Sequence, residues 1–207
     1  PSRMIVGLGG KCCAGKDTVA AILQEAGYEE VSVDALGHRA LETRREDVVA
    51  HFGPEILATK TGPGPSEEPP INRKALGRIV FSDSEERRAL EAIVHPEMKR
   101  LLAEEIAARQ GQTGNPRIII NAALIFYMEL DVLCDVVLWV TASPFRRFLR
   151  AWKRDDLSLT AILRRFWAQR RLGPHPSGEN VDIHIVKNEG ARERLVRRLQ
   201  SIGLLER

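Results

Sequence analysis

Only three of the 207 residues are cysteines, two adjacent at Cys12 and Cys13 and the third far away at Cys134. That pattern matches neither a disulfide framework nor a zinc-ligand spacing, and it favours a reducing compartment. Long apolar runs are also missing. The longest, Ile118 to Met128, is too short to span a bilayer and carries Asn121, so no membrane partner is expected. The chain enters an apolar strand at Met4 with no signal-type region before it, and a cytoplasmic location is expected. There is little excess of one charge, with 31 Lys plus Arg against 28 Asp plus Glu, so the whole chain says little about nucleic acid. Basic residues cluster in one segment, Phe145 to Arg171, where Arg146, Arg147, Arg150, Lys153, Arg154, Arg164, Arg165, Arg170 and Arg171 face only Asp155 and Asp156. That segment lacks the aromatic spacing of a base-stacking surface, which argues against a nucleic-acid partner. No internal repeat is visible, and the length suits one α/β domain with an insertion.

What is present starts with Gly10-Lys11-Cys12-Cys13-Ala14-Gly15-Lys16-Asp17-Thr18, directly after the apolar run Met4-Ile5-Val6-Gly7-Leu8. Strand, Gly-rich turn and the amphipathic run from Val19 to Ala26 come in the order of a phosphate-binding loop. Gly10 and Gly15 let the backbone fold into a nest of N–H donors, the helix that follows turns its positive end to the anion, and Lys16 reaches the β- and γ-phosphates. The cofactor-binding set is therefore Gly10 to Thr18. Asp17 stands where a Mg²⁺-ligating Ser or Thr is usual, and it is the candidate metal ligand. Cys12 and Cys13 are expected to contribute backbone N–H groups, with some redox sensitivity because the loop is electropositive.

Further along, Glu30 to Val33 reads as a short strand ending at Asp34, and Ala35 to His51 as mostly helical. Thr61 to Pro70 is too rich in Pro and Gly for a regular element. Asn72 can cap a helix to Phe81, and Ser82 to Glu85 has capping-box spacing ahead of a long helix. Ile118 to Ile120 and Val136 to Val140 read as fully covered parallel strands. A last strand near Asp182 to Val186 precedes Asn188 and a helix from Ala191 to Ile202. Strands alternating with helices after an N-terminal phosphate loop give an α/β, three-layer, doubly wound parallel sheet with ligands at the strands' carboxyl ends.

Several further matches accumulate in a fixed order: Gly7-Leu8 leading into the loop, Val33-Asp34 followed by Gly37-His38, His51 to Leu57, Asn72-Arg73-Lys74-Ala75-Leu76, and Ile79 to Asp83. Leu90 to Val94 with His95-Pro96, Leu124-Ile125-Phe126, Arg150 to Asp156 and Gln169 complete the set. Together they resemble the dephospho-coenzyme A kinases, over nearly the whole chain. The resemblance implies a P-loop core at 1–60 and 111–207 with a lid at about 150–169, and a helical substrate domain at 61–110. It implies ATP-dependent phosphorylation of the ribose 3′-hydroxyl of dephospho-coenzyme A, with Mg²⁺. Another small-molecule or nucleoside monophosphate kinase, or a catalytically silent nucleotide-binding regulator, stands as the alternative.

On that resemblance Asp34, Lys16 and Arg150 are the catalytic candidates. Asp34 is either the group that accepts the hydroxyl proton or the N-cap of the helix from Ala35. Arg150 and Arg154 lie one helical turn apart and suit phosphate oxygens, whereas Arg146, Arg147, Arg164 and Arg165 read as a solvated face. Asn188 joins the nucleotide set. Asp34, His38, Arg73, Lys74, His95, Leu124 and Phe126 form the substrate set, although His95 before Pro96 also reads as a structural residue at a helix terminus. Ser32, Asn121, Ala123 and Tyr127 depart from the family pattern, so the sheet side of the site lacks carboxylates, and Asp17 is a possible compensation for them.

Overall fold

The computed structural model describes residues 3–58, 69–113, 115–154, 169, 172–177 and 181–206. Its strands are β1 (Met4–Gly10), β2 (Glu29–Ser32), β3 (Arg117–Asn121), β4 (Val136–Thr141) and β5 (Asp182–Lys187). Its helices are α1 (Lys16–Glu25), α2 (Val33–Thr43), α3 (Arg45–Phe52), α4 (Arg73–Ser82), α5 (Ser84–Thr113), α6 (Pro144–Arg154) and α7 (Arg192–Ser201). The chain divides into two compact units, Pro1–Ser32 with Ile106–Arg207, and Val33–Glu105. Among the described residues no helix is long and apolar enough to cross a membrane.

The first unit is built on a sheet of order β2-β3-β1-β4-β5 in which every neighbouring pair is parallel. Ile5 to Gly10, Ile118 to Ile120 and Val136 to Val140 are buried without interruption, as strands covered on both faces must be. On one face Val6, Leu8, Ile119, Leu138 and Val140 pack with Val19, Ile22 and Leu23 of α1 and with Leu195 and Leu199 of α7. Each such side chain contributes about 1.5–3 kcal/mol on burial, which makes this layer the main anchor of α1. Arg117 ties three chain segments together. It donates to the Ala26 carbonyl (3.1 Å), the Tyr28 hydroxyl (3.0 Å) and the Leu204 carbonyl (2.9 Å), and its guanidinium lies 4.2 Å from the Tyr28 ring centroid. From β1 the chain runs to one side of the sheet and returns through β3, then continues to β4 and β5 on the other. The carboxyl end of β1 is the point where that order reverses, the usual place for a ligand crevice.

The second unit is helical and takes in α2 and α3 as well as the described residues from 69 to 105. The expected strand to Val33 stops at Ser32, because Val33 already has helical geometry. Asp34 is therefore the second residue of α2, neither at a strand edge nor an N-cap. A carboxylate in the first helical turn still meets the positive end of the dipole. The stretch 35–51, expected to be mostly helical, is so, as two helices separated at Arg44. Asn72 caps α4 as expected, its Oδ1 accepting from the backbone of Lys74 and Ala75, each at 3.2 Å. Ahead of α5 the cap is Asp83, which accepts from the Glu85 backbone at 2.7 Å, whereas the Ser82 hydroxyl turns back to Arg78 and Ile79. His95 and Pro96 do not end a helix: α5 runs through them. Pro96 brings no N–H to the helix ladder, but the buried Val94, Met98, Leu101 and Leu102 hold the helix on both sides of the gap.

Candidate active site

The turn from β1 to α1 is narrow, and its two end glycines are sterically required. Gly10 has φ 150°, and a Cβ there would stand 2.4 Å from the Val140 carbonyl oxygen. Gly15 has φ 92°, and a Cβ would stand 2.0 Å from the Asn188 Nδ2. Between them Cys13 takes the left-handed region at φ 59°, uncommon for a residue with a side chain.

The loop carbonyls are gripped by donors from elsewhere in the first unit. Arg147 Nε donates to the Cys12 oxygen at 2.9 Å. Arg150 Nη1 donates to the Cys13 oxygen at 3.3 Å and to the Ala14 oxygen at 2.9 Å, while its Nη2 donates to the Asn188 backbone oxygen at 3.1 Å and to Oδ1 at 3.2 Å. The Asn188 Nδ2 donates in turn to the Ala14 oxygen at 3.1 Å. Across a planar trans peptide the C=O and the next N–H point in opposite directions. Drawing the Cys12 and Ala14 carbonyls towards these donors thus turns the N–H groups of Cys13 and Gly15 away from them, which is how a loop becomes an anion nest. The Cys12 N–H donates to Gln169 Oε1 at 2.6 Å, a side-chain oxygen held by a loop amide.

Lys16 opens α1 and is half-buried, and Asp17 and Thr18 beside it are exposed. The structure thus brings Gly10 to Thr18, Arg150 and Asn188 into one cluster. Arg154 also lies on α6, but its side chain is outside the described residues, as are Arg164, Arg165 and most of the expected lid. Arg147 is a correction. Expected to be solvated, it is 9% exposed with its guanidinium on the loop. Burial lowers its pKa, opposed by the Cys12 and Cys13 thiols nearby. A signal was available in the sequence, because Arg147 lies three residues before Arg150 and so on the same helix face. Arg146 does face solvent, paired with Glu189 at 3.3 Å.

Leu124 and Phe126 line a cavity of about 230 Å³ with Tyr127, Trp139, Leu172 and His175. Phe126 packs at 5.6 Å from Trp139, ring centre to ring centre. Asn121, one of the departures noted in the sequence, donates to Glu30 Oε1 at 2.8 Å. Among the described residues no group of three His, Cys, Asp or Glu could hold a metal ion. In the second unit Asp34 and His38 are exposed on α2, Arg73 and Lys74 are exposed at the start of α4, and His95 is half-buried on α5. The His95 pKa is lowered, chiefly by burial; Glu91 opposes that shift and Lys99 reinforces it.

Residues 4–189 match the family model described as CoaE: Dephospho-CoA kinase. A dephospho-CoA kinase of Thermus thermophilus is 32% identical over 199 residues, 96% of this chain and 90% of the relative. The solved structure of TT1252 from Thermus thermophilus superposes with a TM-score of 0.74 at 30% identity, covering 98% of this chain and 97% of that one. A dephospho-CoA kinase structure from Campylobacter jejuni, 22% identical with a TM-score of 0.61 over 96% of each chain, shares the fold.

Proposed function

The chain belongs to the dephospho-CoA kinase family, and from that premise we infer that it transfers the γ-phosphoryl group of ATP to the ribose 3′-hydroxyl of dephospho-coenzyme A, giving coenzyme A and ADP. The observation that carries this reading onto the chain's own residues is the loop whose carbonyls are held by Arg147, Arg150 and Asn188. Phosphoryl transfer leaves little covalent chemistry to the protein, so positioning and charge neutralisation decide the rate.

Lys16 holds the β- and γ-phosphates, and the loop N–H groups with the α1 dipole cradle them. Asp34 orients the 3′-hydroxyl and accepts its proton. Arg150 has both nitrogens of its fork on loop and Asn188 oxygens, so it serves the site by setting the loop; Arg154 is left to meet the phosphates. Leu124 and Phe126 contribute the apolar cavity wall on the substrate side. His38, Arg73, Lys74 and His95 supply the polar contacts to dephospho-coenzyme A.

Asp17 and Thr18 fit a bound Mg²⁺. They are exposed oxygen donors next to the phosphate lysine, and Mg²⁺ commonly takes one or two carboxylates together with substrate phosphates and waters. When bound, it would neutralise charge on the phosphate oxygens.

An ADP-release assay coupled to pyruvate kinase and lactate dehydrogenase, run with dephospho-coenzyme A, ATP and Mg²⁺, tests the reading. Turnover that needs all three is expected. ATP binding without ADP release would replace the kinase by a nucleotide-binding regulator, and equal turnover of acceptors lacking the pantetheine arm would replace the substrate.

A further inference from the structure

The phosphate loop carries chemistry that phosphoryl transfer does not use. Cys12 and Cys13 are not disulfide-bonded, both are partly accessible, and their sulfurs lie 3.5 Å apart. Both thiols sit within Coulombic reach of the Arg147 guanidinium, which is itself fixed on the Cys12 carbonyl. Two sulfur bonds of about 2.3 Å, the length thiolates make to a thiophilic ion, span about 3.3–3.8 Å for angles between a right angle and the tetrahedral one. The observed separation falls inside that span. A disulfide fits less well, because adjacent Cα atoms are about 3.8 Å apart, short of the roughly 4.4 Å at which disulfides begin.

Two observations narrow the ligand further. No third His, Cys, Asp or Glu joins the pair among the described residues, so a metal ion would find only half of a tetrahedral shell. A dication would also sit against the Arg147 charge. A neutral trivalent centre that brings its own third substituent meets neither obstacle.

We propose that Cys12 and Cys13 form a dithiol capture site for monosubstituted trivalent arsenicals, and that capture and nucleotide binding exclude each other. The step is a condensation: an organoarsenic oxide and two thiols give a cyclic dithioarsenite and one water. Two As–S bonds replace the bonds from arsenic to oxygen, both thiol protons leave in the water, and nothing is oxidised or reduced. The ring that closes spans the peptide between the two cysteines, the same peptide whose carbonyl Arg147 holds and whose N–H belongs to the nest. Exclusion of nucleotide therefore rests on the phosphate-loop reading, whereas capture does not.

Phenylarsine oxide is the probe, and intact mass is the first readout. One phenylarsenic unit per chain is expected, stable to a monothiol and removed by a dithiol. Cleavage by trypsin after Lys11 and Lys16 releases residues 12–16, which hold both thiols and exclude Cys134, so the adduct can be located without any variant. Cys134→Ser should keep the adduct, and Cys12→Ser or Cys13→Ser should lose it. Saturating ATP should slow capture at least tenfold. The proposal is overturned if no adduct forms, if the adduct maps outside residues 12–16, or if ATP that calorimetry shows to be bound leaves the capture rate unchanged. A protein that binds no ATP yet forms the adduct on residues 12–16 faults the phosphate loop and overturns the exclusion, and leaves the capture site standing.

Discussion

Arg150→Lys separates two jobs that one arginine can do in a kinase. In the structure Arg150 makes four contacts of 2.9–3.3 Å, to the Cys13, Ala14 and Asn188 carbonyls and to the Asn188 side chain. Hydrogen bonds from a charged donor contribute about 1.5–3 kcal/mol each, less when they share one group. Lysine keeps the charge but not the planar fork, so it can satisfy one or two of these oxygens and leaves the rest half-buried without a donor. A net cost of about 2–3 kcal/mol in the loop conformation is expected, and at 1.4 kcal/mol per tenfold this is roughly 30- to 150-fold in ATP affinity. Calorimetric titration with ATP should show that loss, thermal melting should show a lower Tm, and kcat at saturating substrates should change less than Kd. Unchanged Kd and Tm with a collapse of kcat would refute the reasoning and put Arg150 on the transferring phosphoryl group.

Lys16→Ala should weaken ATP binding and turnover at least tenfold, from the loss of one charge-assisted phosphate contact of about 1.5–3 kcal/mol, read by titration and by ADP release. Asp34→Asn should lower kcat by about 10²–10⁴ while both substrates bind almost as before; full activity would remove Asp34 from proton transfer. Asp17→Ser should weaken activity and raise the Mg²⁺ concentration needed for half-maximal rate, and adding Asn121→Asp should restore both; parent activity at every Mg²⁺ concentration would make Asp17 a tolerated replacement. His95 has its pKa lowered from 6.5 in the fold, so the unfolded chain takes up the proton first and stability falls as pH drops through the ordinary histidine range. His95→Gln should flatten that part of the Tm-against-pH curve, and an unchanged slope would move the acid sensitivity to another group.

The sheet was legible in the sequence because burial on both faces writes continuous apolar runs, as at Ile118 to Ile120 and Val136 to Val140. The phosphate loop was legible because backbone geometry admits glycine alone at Gly10 and Gly15. Helix boundaries carried less information. Val33 is β-branched and reads as strand, yet β2 has only Ser32 and Asn121 as its last paired residues, and Val33 is buried as the first residue of α2. His95 before Pro96 reads as a residue at a helix terminus, yet the long helix passes through both because apolar residues on either side are buried together. Arg147 was misread for a different reason: charge alone does not distinguish a guanidinium in water from one capping a distant carbonyl. The contact from Arg147 to Cys12 joins residues 135 positions apart, and the local pattern places Arg147 on the helix face of Arg150 without naming the carbonyl it meets.

Between Gly10 and Gly15 the loop carries side chains at Lys11, Cys12 and Cys13, and the structure explains how it keeps its shape with them. A side-chain-bearing residue in the left-handed region costs about 1–2 kcal/mol, and Cys13 carries that cost at φ 59°. The opposing contributions come from both sides of the peptide chain: Gln169 on the Cys12 N–H, Arg147 on its carbonyl, and Arg150 on the next two carbonyls. With these in place the conformation is determined by its partners more than by its own backbone preference. Glycine would fit the same φ but would leave the unbound loop free to leave it. Arg147 and Arg150 both come from α6, one turn apart, so the loop and that helix are mechanically one piece. Any change in the position of α6 would move the donors that hold the Cys12, Cys13 and Ala14 carbonyls.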